Sequence, residues 1–116
     1  MSKSFDRDEL NMVSMQVILH AGNARTFVID ALTGLNNEKP NFQKIDEDLK
    51  KAHDEITKAH NRQTDMIQHE SQGEFIPFSV LFSHAQDTLM TIQSELILVE
   101  KLVPIFRRME GEKNNE

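Results

Sequence analysis

Five histidines, His20, His53, His60, His69 and His84, are the main reactive candidates in a chain without cysteine. The missing thiol excludes disulfides, thiolate zinc sites, iron–sulfur ligation and a cysteine nucleophile, so any chemistry must use imidazoles, carboxylates or hydroxyls. His84 stands out by its setting, Phe78-Ser-Val-Leu-Phe-Ser-His84-Ala-Gln86-Asp87-Thr-Leu-Met. A titratable ring sits there on an apolar stretch, with Gln86 as a donor and Asp87 as a charge partner within one turn. From the residues alone it reads either as an ordinary helix histidine or as a reactive one. Asp87 is the second oddity, because aspartate is seldom buried unless it is paired or bound to a metal. It must lie at a solvated edge or be neutralised.

The other histidines offer less. His53 and His60 are seven residues apart on one helix, roughly 10 Å along its axis, too far to share an ion at metal–nitrogen distances near 2 Å. His20 and His69 read as surface or partly packed side chains. There is no His-Glu-x-x-His or Glu-x-x-His pair, no glycine-rich phosphate loop after a strand and no arrangement that suggests an acyl-transfer triad.

The elements that must position His84 are helices. Asp6, with acidic residues after it, opens a first helix expected over 7–34, whose apolar positions Met12, Met15, Leu19, Val28 and Leu32 recur near helical spacing. Gly34 and Asn36-Asn37 read as its stop signals. Pro40 and Asn41 mark a loop and a cap, and a second helix is expected over 42–71, with the stripe Phe42, Ile45, Leu49, Ala52, Ile56, Ala59, Gln63 and Met66 or Ile67. Gln72-Gly73 to Pro77 breaks it, and a third helix follows over 78–110. This third helix is apolar on more than one side, a surplus that implies either packing against other subunits or cover by loops and the N-terminus. Pro104 predicts a kink or break near Val103, and the tail 111–116 is expected to fray. Two short connections make an all-α, antiparallel three-helix bundle in one domain, 1–116, the simplest architecture.

The chain has 116 residues, 38% hydrophobic and 28% charged, which suits one folded domain rather than disorder. No apolar run is long enough to span a membrane and the N-terminus lacks the order of a signal peptide, so the expected setting is cytoplasmic, without membrane insertion. A formal charge of −6, with 13 Lys+Arg against 19 Asp+Glu, disfavours nucleic-acid binding and favours encounter with a basic protein.

The segment Ser79-Val-Leu-Phe-Ser-His84-Ala-Gln-Asp-Thr-Leu-Met-Thr91 resembles the signature of the lactose/cellobiose family of enzyme IIA proteins of the bacterial sugar phosphotransferase system. Ala21-Gly22-Asn-Ala24-Arg25 is similar to the family's Gly-x-Ala-Arg segment, and Ala59-His60-x-x-Gln63-Thr64 with Glu70-x-x-Gly73 also matches. Three such pieces in the family's order, across most of the chain, are specific. The resemblance implies a homotrimer, a nine-helix bundle with the third helices around its axis. It implies that His84 is the phosphorylated residue and that Gln86 lies beside that site. It also implies that three copies of Asp87 hold Mg2+ or another divalent cation on the axis. The implied partners are the phosphocarrier protein HPr as phosphoryl donor and a cysteine of enzyme IIB as acceptor, during disaccharide uptake. Such a chain is a phosphotransferase component with no small-molecule turnover of its own.

Two departures stand out. The family usually reads His-Ala-Gln-Asp-His or His-Gly-Gln-Asp-His, and Thr88 stands where the second histidine would be. Ala85 leans toward the cellobiose/chitobiose branch. The chemistry agrees with the resemblance, because a neutral imidazole, with an ordinary pKa near 6.5, attacks phosphorus without a strong base. The competing reading is a trimeric helical adaptor or regulator of the same ancestry that no longer transfers phosphate, with Thr88 as its mark. A metal enzyme built on Asp87 and histidines is a distant third.

Overall fold

Each helix starts on a side-chain cap that satisfies a backbone N–H otherwise left without a partner. The Asp6 carboxylate accepts from the Glu9 N–H at 2.8 Å and opens α1, Arg7–Leu35. Asn41 accepts from the Lys44 N–H at 3.1 Å and opens α2, Phe42–Ser71. The Ser79 hydroxyl accepts from the Phe82 N–H at 3.1 Å and opens α3, Val80–Asn114. These elements come from a computed structural model, which describes residues 6–114. No β-strand occurs among the described residues.

The chain runs up, down and up. Arg7, at the start of α1, donates to the Phe78 carbonyl at 3.3 Å, just before α3 begins. Arg107, near the end of α3, donates to Asp46 at the start of α2 at 2.7 Å. The result is a slender three-helix bundle of 71 × 20 × 18 Å.

The core is a seam of small and branched side chains. Ala21, Ala24, Ala31, Ala52, Ala59 and Ala85 let the helix axes approach closely, and Val17, Val28, Ile45, Ile56, Leu89 and Leu96 fill the space between them. The α2 stripe expected from periodicity lies in this core, except that Phe42 is half-buried and Ile67 is exposed. For α1 the expectation holds only at Val28. Met12, Met15, Leu19 and Leu32 are exposed, and the buried face is Leu10, Val17, Ala21, Ala24, Val28, Ala31 and Leu35. Alanines carry little hydrophobic signal, so the larger residues drew the stripe to the wrong side; the two faces together make α1, like α3, apolar on more than one side.

The helix ends one residue past Gly34, at Leu35, with Asn36 of the expected stop signal as its cap. Ile45 of α2 lies against Gly34, where a β-carbon would come to 3.0 Å from the Ile45 Cγ1. The third helix begins at Val80 rather than 78, since Ser79 is its cap. It also continues through Pro104, so of the expected kink or break near Val103 the break does not occur. A proline removes one helical hydrogen bond, and here Arg107 just beyond it is anchored to α2, with Asp46 as acceptor and its guanidinium 5.0 Å from the centre of the Phe42 ring. The expected frayed tail is therefore helical through Asn114, while 115–116 lie outside the described residues.

Candidate functional site

The His84 side chain is exposed, four residues past the start of α3. Its neighbour Ala85 is fully buried and Leu89, one turn on, is too, so the backbone carrying His84 is fixed by the core. Asp87 is also exposed, about 60° around the helix from His84, on one solvent-facing side of α3. The same side continues through Met90, Ile97, Leu98, Leu102, Ile105 and Met109, all at least 40% exposed. Asp87 is thus the polar head of a long, mainly apolar face that nothing among the described residues covers.

Gln86 behaves differently. It is half-buried and lines a cleft of about 430 Å3 between α2, α3 and the loop joining them. Met66, Ile67 and Glu70 form the α2 wall, Phe75 to Ser79 the loop wall, and Phe82, Ser83 and Gln86 the α3 wall. His84 does not line this cleft. At 100° per residue Gln86 points about 160° away from His84, so one chain does not bring these two side chains together. The rim of this cleft is apolar, formed by Phe75, Ile76, Phe78 and Phe82 with Ile67.

The remaining histidines fall into two groups. His53 and His60 are exposed on α2. His20 reaches across to Glu55 at 2.7 Å, tying α1 to α2, and His69 faces Glu74 where α2 ends. Burial pushes the Glu55 carboxyl up, but hydrogen bonds from His20 and Asn23 and the charges of Lys58 and His20 outweigh it and hold the group below its ordinary value. Neither acidic partner was visible to periodicity, because each pairing depends on where two segments meet. Among the described residues no three His, Asp or Glu side chains come together in one chain as a metal site. Nor is any helix among them long and apolar enough to cross a membrane.

An exposed histidine, an open aromatic cleft and two apolar helix faces left uncovered among the described residues give this helical protein surfaces of the kind that meet other macromolecules. The chain belongs to the lactose/cellobiose-specific IIA subunit family of the sugar phosphotransferase system, whose family model matches residues 12–107. It is 31% identical to the lactose-specific EIIA component of Lacticaseibacillus casei over 95% of this chain and 96% of that protein. It is 38% identical to the oligo-beta-mannoside-specific EIIA component of Bacillus subtilis, over 82% and 84% of the two chains. Its fold matches the crystal structure of PtcA from S. mutans with a TM-score of 0.85 and 30% identity, covering 89% of this chain and 99% of that one.

Proposed function

We propose that this chain is a cytoplasmic phosphoryl carrier that accepts a phosphoryl group from HPr on His84 and passes it to a cysteine of the cognate enzyme IIB during disaccharide uptake. The observation that carries the reading is His84 itself, the one histidine of α3, exposed on a backbone that the core holds still, in a chain of the IIA family. In the first step the Nε2 lone pair of the neutral ring forms a bond to phosphorus as the bond from phosphorus to the donor breaks. In the second, the enzyme IIB sulfur takes the phosphoryl group and the imidazole leaves unchanged. Such a transfer needs mainly positioning and charge stabilisation.

The uncovered face of α3 favours assembly into a homotrimer around that helix. Around such an axis Asp87 faces inward, and the flank of that face that carries His84 in one α3 meets the other flank of the same face in the neighbouring α3. That other flank carries Ser83, Met90 and, further round, Gln86. Gln86 then supports the His84 of the next copy rather than its own, which accounts for the two pointing apart in a single chain. Three Asp87 carboxylates at the axis repel one another, and Mg2+ or another divalent cation with oxygen ligands suits such a set and removes the repulsion.

The test is incubation with enzyme I, HPr and phosphoenolpyruvate. Wild type should take an acid-labile, base-stable label and His84→Gln, which keeps size and polarity, should take none. A wild type that takes no label from a competent HPr overturns the carrier reading and favours the adaptor, with Thr88 as its mark.

A further inference from the structure

The α2 helix ends in a left-handed cap. Gly73 has φ +92°, its N–H donates to the Glu70 carbonyl at 3.1 Å, and the Glu74 N–H reaches back to the His69 carbonyl at 3.0 Å. This pair of bonds is the Schellman pattern, in which the residues at the His69 and Glu74 positions ordinarily touch through apolar side chains. Here they are an imidazole and a carboxylate. Nδ1 of His69 faces Oε2 of Glu74, and both atoms are shut off from solvent.

The segment that begins at Glu74 is the loop wall of the aromatic cleft. It is fixed again at its far end, where Arg7 donates to the Phe78 carbonyl and Ser79 caps α3. Between these ties stand Phe75, Ile76, Pro77 and Phe78, facing Ser83 and Gln86 across the cleft. Phe75 and Phe78 are 65% and 79% exposed, so burial of their own rings does little to hold them. Their placement depends on backbone ties, those at the two ends of the loop and a bridge pairing at Phe75.

We propose that the His69–Glu74 pair is a positioning clamp, which sets the loop wall of the cleft and thereby the fit of the protein that exchanges phosphate with His84. The inference rests on the carrier reading for its link to the reaction. The clamp touches no reacting atom, so its loss weakens partner engagement and spares the chemistry. His69→Ala and Glu74→Ala should each raise KM for phosphorylated HPr by about two- to fivefold, the scale of one partly screened polar pair. In both, kcat and the final extent of His84 labelling should stay at wild-type values. The double variant should be no worse than either single one, and His69→Arg, which keeps an N–H donor facing the Glu74 carboxylate, should restore the wild-type KM. A general loss of folding would instead lower kcat and the labelled fraction together.

Amide hydrogen exchange at Glu74 and Phe75 gives a readout that needs no partner: it should quicken in the alanine variants and not in His69→Arg. Unchanged KM in the single variants, or additive effects in the double one, would overturn the clamp while wild-type labelling keeps the carrier reading intact. If wild type takes no label, the carrier reading fails by itself, and the exchange rates alone decide whether the pair holds the loop: unchanged rates reject it.

Discussion

Arg107 stands three residues beyond Pro104 and donates to Asp46 Oδ2 at 2.7 Å while lying over the Phe42 ring, so the last turns of α3 are fastened to the first turn of α2. The proline interrupts one backbone hydrogen bond, and this side chain carries the helix past it. Arg107→Ala should lower stability by only about 1 kcal/mol, because Arg107 and Asp46 side chains are 50% and 54% exposed and the pair is screened. Its specific mark is local: exchange at the amides of 105–113 should quicken while the middle of α3 stays protected. Equal quickening along the whole helix would reject the anchor.

Glu55 should make stability fall in acid. Its folded carboxyl lies below the ordinary 4.5, so it stabilises the native state fully above that value, and the contribution is lost as pH falls through the lowered one. Glu55→Gln removes the charge that His20 and Lys58 share. Urea midpoints followed from pH 7 downward should therefore start lower in the variant and converge on wild type once the pH has fallen through the lowered Glu55 value. Parallel curves across that range would show that Glu55 plays no part.

The uncovered face of α3 should be where copies of the chain meet. Leu98, 62% exposed at the middle of that face, should become intolerant of charge, so Leu98→Glu should sediment as a smaller species than wild type. Asp87→Leu should still assemble, since it exchanges carboxylate repulsion for apolar contact, and its assembly should not respond to a chelator. A wild-type monomer at micromolar concentration would reject both statements and the axial cation with them.

Local signals in the sequence determined the helices. Asp6, Asn41 and Ser79 cap them because their short oxygens reach the backbone N–H three residues on, and Gly73 ends α2 because only glycine adopts its positive φ at no steric cost. The α2 stripe was legible because the residues outside it are, with the exception of Ile67, charged or polar. The family, too, was legible in the run around His84, confirmed over residues 12–107. Tertiary structure decided which apolar face of α1 is the core, because Ala21, Ala24 and Ala31 give a weak signal yet allow the close approach that Met15 and Leu19 would prevent. It also decided that Ile45 lies against Gly34, that α3 survives Pro104, and that His84 and Gln86 leave the helix on different sides. Each of those outcomes depends on what another segment brings to the same place, and a single stretch of sequence does not carry its neighbour's position.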